Sequence, residues 1–255
     1  MSNTTPGRRV GPFWALLATI GLGLGHPLAS GAGDDEKSNR SSAPALSAKQ
    51  LSIAPIAAAT AVGDMARLGV ALDRGLDAGM TMGDAKEILV QLYAYTGFPR
   101  SLNALGELMK VAEARKQRGI VDQPGREPSA IPDGSELLAI GTANQTKLLG
   151  APVRGPLFDF APAIDDFLKR HLFGDIFARD NFDWTGRELA TVGALAAMSG
   201  VESQLQSHIA VSMNVGLTPS QLRQAADALA KAGHADAGWR MQAAIDKHLA
   251  GLARP

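Results

Sequence analysis

The sequence predicts an all-α fold, and three observations support the prediction. Aromatic residues make up only 5% of the 255 residues, whereas hydrophobic residues make up 45%, and a chain rich in alanine and poor in aromatics favours helices over sheets. No stretch shows the alternation of apolar and polar residues that a half-buried strand requires. The chain instead carries four signals for the start of a helix.

Each helix-start signal is a hydroxyl residue followed three positions later by a carboxylate or carboxamide. This is the pattern of a capping box, in which the hydroxyl oxygen accepts from a free backbone N–H and the later side chain returns a bond to the cap. The four pairs are Ser47 with Gln50, Thr81 with Asp84, Thr185 with Glu188, and Thr218 with Gln221. The pattern therefore predicts a capping role for Glu188.

The same helix order recurs at a constant offset in residue number. The recurring positions are Gly63 and Gly200, Gly79 and Gly216, and Thr81 and Thr218, and each pair gives the same offset (200 − 63, 216 − 79 and 218 − 81). A shared order of helix, glycine, helix, glycine and capped helix predicts an internal duplication. We expect two degenerate helical repeats, at residues 47–117 and 173–253, joined by a linker with helices at residues 118–172.

Residues 1–32 carry the pattern of a secretory signal peptide. Arg8 and Arg9 precede an apolar run, Phe13–Leu24, and small residues follow at positions 28–32, as is typical of a cleaved signal. The run is shorter than the roughly 20 residues of a membrane span. We expect a bacterial periplasmic or secreted protein without a stable membrane anchor after cleavage; an uncleaved anchor is the alternative. Residues 33–46 are small and polar and are predicted to be a disordered leader.

Charge and motifs narrow the possible ligands. Twenty-five basic residues balance twenty-five acidic ones, so the chain lacks the basic excess of a nucleic-acid-binding protein. It has no glycine-rich phosphate loop and no G-x-S-x-G motif, and His171, His234 and His248 have no His or Glu four positions away that would indicate a helical metal site. His171 and Asp175 do lie four positions apart, and we expect them to form a pair on a helix surface. We predict a small-molecule substrate, with no metal, no cofactor and no nucleic-acid partner.

Three passages together resemble the carboxymuconolactone decarboxylase family. They are Gly79–Pro99, Phe173–Arg179 and Arg187–Ile209, and the resemblance covers about Leu51–Leu252. It implies an all-helical fold of the alkylhydroperoxidase D-like type and a homo-oligomer, a trimer or a hexamer. The implied activity is a cofactor-free decarboxylation of a small carboxylated lactone or a related acid.

The absence of cysteine separates this chain from the peroxidase branch of that family. In that branch a Cys-x-x-Cys pair ends four residues before a histidine, and the matching positions before His208 are Val201 and Gln204. Because a thiolate is the nucleophile in such chemistry, peroxidase and disulfide-reductase activities are disfavoured. His208 and Glu188 are what remains of the pattern.

The resemblance makes His208 and Glu87 the candidate catalytic residues. A histidine titrates near neutrality and can deliver a proton to carbon after carbon dioxide has left; a packed helix histidine is the alternative. Glu87 lies about two helical turns before Tyr95, so the two side chains could face one cavity. The alternative for Glu87 is an ordinary surface glutamate.

Arg100, Arg179 and Tyr95 are the candidate substrate-binding residues. Paired N–H donors of an arginine suit a carboxylate, although surface salt bridges and packing are the alternatives. A second hypothesis is a non-catalytic periplasmic relative that binds a small molecule or has a structural role. One closed apolar pocket shared by His208, Glu87 and an arginine would favour the enzyme.

Overall fold

The computed structural model describes residues 44–253, and these residues contain helices and no strand, which confirms the predicted all-α fold. The predicted signal peptide, and residues 33–43 of the predicted leader, lie outside the described residues. Between residues 44 and 253, no helix is both long enough and apolar enough to cross a membrane.

The first helical unit contains five helices. They are α1 (Ala48–Val62), α2 (Met65–Asp77), α3 (Met82–Gln91), the single turn α4 (Tyr93–Thr96) and α5 (Phe98–Gln117). The chain between α4 and α5 turns at Gly97, whose φ of 81° is disfavoured for residues with a Cβ. The apolar pattern after this turn predicts an amphipathic helix over Leu102–Arg115, but α5 starts earlier, at Phe98.

The segment between the units contains helices. After a loop, the chain forms α6 (Gly134–Leu149), α7 (Pro156–Phe160) and α8 (Pro162–Phe167), and α8 continues into a π-helical stretch, Leu168–Ile176. The predicted boundary between linker and second repeat, at residue 173, therefore falls inside a continuous helix. Gly141 of α6 contacts this stretch closely, since a Cβ there would overlap the Lys169 carbonyl.

The second unit repeats the order of the first. It contains α9 (Trp184–Ala197), α10 (Glu202–Asn214), α11 (Pro219–Lys231) and α12 (Ala235–Leu252). The starts of α2, α3 and α5 precede those of α10, α11 and α12 by one constant difference in residue number (202 − 65, 219 − 82 and 235 − 98). This is the offset that the glycine and threonine pattern predicts, so the two units share one helical plan.

The counterpart helices α1 and α9 pack against each other at the centre of the core. Gly193 makes this approach possible, because a Cβ there would lie 2.7 Å from the Ala54 backbone. Leucine, isoleucine and alanine side chains of both units form one large apolar cluster around the pair. A smaller cluster, which includes Leu148, Phe177 and Val211, joins α6 and the π-helical stretch to α10.

Three of the four predicted capping boxes form, at Ser47, Thr81 and Thr218. The fourth prediction, Thr185 with Glu188, is wrong. Asp183 is the N-cap of α9 and accepts from the Gly186 backbone N–H at 2.6 Å, while the Thr185 hydroxyl donates to Asp183 at 2.8 Å. An earlier carboxylate has taken the capping position, and Glu188 is left inside the helix, facing the core.

The C-terminal end of the predicted leader, residues 44–46, contacts α11. Leu46 is buried, and its backbone N–H donates to Gln224 Oε1 at 2.9 Å. Gln221 Nε2 donates to the Pro44 carbonyl at 2.9 Å. Burial of one leucine and two hydrogen bonds to α11 therefore hold this segment before α1 begins.

Candidate functional site

Buried polar side chains concentrate where α3 and α4 of the first unit meet α9 and α10 of the second. Most of the surrounding core is leucine, isoleucine and alanine. The polar set is Glu87, Gln91, Tyr95, Arg187, Glu188, Thr191, His208 and Ser212. Burial of polar groups costs free energy unless they are paired, so this set, called the polar strip below, is the candidate functional site.

Glu188 and His208 form a carboxylate–imidazole pair between α9 and α10. Glu188 Oε2 lies 2.9 Å from His208 Nδ1, and the side chains are 1% and 17% exposed, respectively. An ionised carboxylate can only accept hydrogen bonds, so the histidine donates to Glu188 through Nδ1. The other ring nitrogen, Nε2, is left for a second partner, as in a general acid or base held by a buried carboxylate.

Tyr95 lies against this pair. Its ring meets the His208 ring edge to face, with centroids 5.7 Å apart. Burial, with a smaller contribution from the Glu188 charge, raises the pKa of Tyr95 well above its usual range, so its hydroxyl keeps its proton. That hydroxyl is buried and has no hydrogen-bond partner among the described residues, as is also true of Glu188 Oε1 and Ser212 Oγ.

Glu87 is buried in a second group, which includes Arg179. Arg179 approaches Glu87 in a bidentate manner, through Nε at 2.9–3.0 Å and Nη2 at 2.7 Å, and Arg187 Nη2 donates at 3.0 Å. Burial alone would raise the pKa of Glu87, but hydrogen bonds from the two arginines and Asn181 outweigh it and lower the pKa to about 2. The interpretation of Glu87 as a surface glutamate is wrong, and at neutral pH its carboxylate holds no proton to transfer.

Arg187 is the member of the site to which the sequence assigned no role. Its side chain is fully buried, and Nη1 and Nη2 donate to Gln91 Oε1 at 3.3 Å and to the Arg179 carbonyl at 3.1 Å. Burial lowers the pKa of its guanidinium, and the pairing with Glu87 opposes this effect. Because residues 187 and 188 are adjacent on α9, this ion pair and the Glu188–His208 pair share one helical turn.

The structure thus divides the predicted site residues into two groups. His208 and Tyr95 lie together with Glu188, while Glu87 and Arg179 bind each other. Arg100 belongs to neither group: it is exposed in the first turn of α5, and the buried side of that turn carries Ser101 and Ala104. Its side chain faces solvent in the first turn of α5, and its role in substrate binding stays a prediction.

A cleft of about 430 Å³ lies beside Arg179, between α6 and the segment Phe177–Trp184. Neither His208 nor Glu87 lines it. A more open depression of about 740 Å³ follows the outer face of α6. Neither of these two cavities unites His208, Glu87 and an arginine.

Within residues 44–253, no three His, Asp or Glu side chains are grouped as metal ligands. His171 and Asp175 form the pair expected from their spacing, with Nδ1 and Oδ2 2.5 Å apart on a half-exposed helix surface.

The fold and the site define a class: an all-helical, cysteine-free protein with a buried carboxylate–histidine pair between two related helical units. Residues 162–246 match the model of the carboxymuconolactone decarboxylase family, so this part of the chain is similar to that family. The match runs from α8 into α12 and includes both Glu188 and His208, whereas the resemblance seen in the sequence extends to the first unit. No curated protein matches the chain.

Proposed function

We propose that the protein is a cofactor-free carboxy-lyase that acts on a small carboxylated lactone or a related acid, with His208 as its proton carrier. One observation carries the proposal: a buried carboxylate, Glu188, holds an imidazole that is still 17% exposed. A general acid must be reachable by substrate and oriented by a partner. The pair meets both conditions, and the match of residues 162–246 to the family model supports the choice of reaction class.

The proposed reaction first leaves an electron pair on the substrate, and the substrate carbon then has to receive a proton. When the bond between the ring carbon and the carboxylate breaks, carbon dioxide leaves and the electron pair remains on an enolate. Protonated His208 gives its Nε2 proton to the carbon, and Glu188 stabilises the imidazolium through Nδ1. The Tyr95 ring, which lies edge to face against the imidazole, helps to hold His208 in this orientation.

Glu87 and Arg179 receive other roles in this proposal. A carboxylate with a pKa of about 2 cannot serve as an acid or base near neutrality, so Glu87 is a positioning residue that holds two arginines. Arg179 donates hydrogen bonds to Glu87 through Nε and Nη2, and its side chain lines the 430 Å³ cleft. It therefore takes no part in the proposed proton step.

The test is carbon dioxide release by the purified protein from a panel of carboxylated lactones. We expect His208→Ala to lower the rate about 10²- to 10⁴-fold, the usual contribution of a general acid or base. His248→Ala is the matched control, since His248 is also a partly buried helix histidine but lies on α12, outside the polar strip. Equal rates for His208→Ala and the wild type would remove His208 from the mechanism.

A second candidate function is a non-catalytic, small-molecule-binding relative of the same fold. It is favoured by the separation of Arg179 and its cleft from His208. A protein of this kind would bind a ligand saturably and release no carbon dioxide from any lactone. The two candidates are thus distinguished by turnover in the wild type, before any variant is made.

Assembly and location remain proposals. The family resemblance supports a homo-oligomer, a trimer or a hexamer, and exposed Phe98, Leu102 and Met109 on α5 provide apolar surface for subunit contact. The N-terminal pattern supports a periplasmic or secreted location. Sedimentation of the purified protein and fractionation of expressing cells test the two proposals separately.

A further inference from the structure

The cleft beside Arg179 has the dimensions and floor of a ligand site. Its volume of about 430 Å³ lies in the range of roughly 300–1,000 Å³ that is typical of small-molecule pockets. One wall is α6 and another is the loop at residues 130–132. Apolar side chains supply the floor, namely Ile140, Phe177, Phe182 and Trp184.

Hydrogen bonds hold the walls in place. Asp180 accepts from the Ser129 backbone N–H at 2.9 Å and from its hydroxyl at 2.8 Å, and Arg126 Nη1 pairs with the same carboxylate at 3.1 Å. These contacts tether the loop next to the cleft. Trp184 Nε1 donates to the Phe177 carbonyl at 3.0 Å, which fixes the indole ring in the floor.

The charged side chains that line the cleft differ in whether their polar atoms already have hydrogen-bond partners. The two carboxylates are engaged: Asp180 binds the loop, and Asp183 caps α9. The two cations are not. Lys147 Nζ lies 4.9 Å from the Trp184 ring centroid and has no carboxylate partner among the described residues, and Arg179 binds Glu87 through Nε and Nη2 but not through Nη1. Both cations therefore keep N–H donors for an anionic ligand, and the neutral Asn144 amide, whose Nδ2 donates to the Phe173 carbonyl, also lines the cleft.

We infer that this cleft binds a small planar organic carboxylate, separately from the His208 site. The ring lies against the partly exposed Trp184 and Ile140 side chains, and the carboxylate lies between Lys147 Nζ and Arg179 Nη1. A flat apolar ring can pack against the aromatic side chains of the cleft, and two positively charged hydrogen-bond donors can bind a carboxylate. The inference does not depend on catalysis by His208, because neither His208, Glu188 nor Tyr95 lines the cleft.

The test is a titration of the full-length ¹⁵N-labelled protein with benzoate, followed by the indole N–H signal of Trp184. Benzamide is the matched uncharged probe. We expect benzoate to shift the Trp184 signal saturably and to bind at least about fivefold more tightly than benzamide, as expected for the gain of a partly exposed ion pair. Equal affinity for the two probes, or no saturable shift with benzoate, would overturn the inference.

Variants then locate the site. Lys147→Gln should weaken benzoate binding about fivefold, while Lys86→Gln, a change at another exposed lysine without an ion pair among the described residues, should leave it unchanged. Arg179 is avoided, because its loss would leave the buried Glu87 carboxylate with one arginine fewer. His208→Ala should retain full benzoate binding. Loss of binding in His208→Ala, or unchanged binding in Lys147→Gln, would place the ligand elsewhere and contradict the inference, whatever the outcome of the lyase assay.

Discussion

The two helical units share one plan but differ in the chemistry of their matching positions. In the contacts between units, α9 lies on α3 and, correspondingly, α1 lies on α11. The first interface contains the polar strip, and the second is mostly apolar. At the constant offset that relates the units, His208 matches Ala71, Glu188 matches Leu51, Arg187 matches Gln50, Tyr95 matches Ala232, and Glu87 matches Gln224.

This difference shows that the helical scaffold does not require the polar residues. The interface of α1 with α11 is built with alanine, leucine and glutamine, and α1 is among the most deeply buried helices. The strip at α9 therefore adds buried charge to a plan that folds without it, at a cost that pairing must offset. Because Glu87 and Arg187 come from different units, neither charge is neutralised unless the units pack correctly.

The largest expected effect comes from removing the buried guanidinium. Arg187→Met should lower the free energy of unfolding by about 3–5 kcal/mol, the usual cost of breaking a buried ion pair from one side. The counterpart change, Gln50→Met, removes one bond of a capping box and should cost about 1 kcal/mol. Urea denaturation at pH 7 measures both values. Equal losses for the two variants would mean that the polar strip and its apolar counterpart contribute alike, against the comparison.

The second prediction concerns Glu87, whose counterpart is an uncharged glutamine. The pKa of Glu87 is lowered from 4.5 to about 2 in the folded protein, so its pairing stabilises the fold fully above about pH 4.5. This contribution is lost as the pH falls from about 4.5 to about 2. It amounts to at most about 3 kcal/mol, and Glu87→Gln should lack it.

The measurement for Glu87 is urea denaturation of the wild type and Glu87→Gln at pH 7, 5 and 3. The difference in unfolding free energy should be similar at pH 7 and 5 and smaller at pH 3. Glu113→Gln, at an exposed glutamate of α5, is the control and should show no comparable change with pH. A difference between wild type and Glu87→Gln that stays constant over this range would contradict the assigned pKa.

Local signals predicted most of this fold. The caps at Ser47, Thr81 and Thr218 depend on contacts between near neighbours in the chain, and the repeat offset is visible in three pairs of positions. Glu188 illustrates the limit of such signals, since its spacing from Thr185 fits a capping box but Asp183 occupies the cap. Two local patterns competed for one helix start, and the sequence alone did not rank them.

The site was harder to predict because its contacts join distant parts of the chain. Glu87 pairs with Arg187 across 100 positions and with Arg179 across 92, and no periodicity links these residues. The residue type made Arg179 a candidate but could not identify Glu87 as its partner. Arg100 had the same residue type, yet the start of α5 decides which way it faces, and that start was predicted too late in the chain.

The smallest expected change in the free energy of unfolding concerns a feature that the two units share, the threonine N-cap of the third helix in each unit. Thr81 and Thr218 occupy matching positions, and each accepts from the backbone N–H three residues later, at 3.0 and 3.2 Å. Thr81→Ala and Thr218→Ala should each lower the unfolding free energy by about 1 kcal/mol, and Thr142→Ala, at an exposed threonine inside α6, should change it little. Since Asp84 also pairs with Lys49 at 2.7 Å while α11 has Pro219 at its first position, each helix start keeps one independent support after the mutation. Equal losses would show that the helix starts are equivalent in the two units; a loss in one variant alone would show that the units differ in their scaffold as well as in their polar residues.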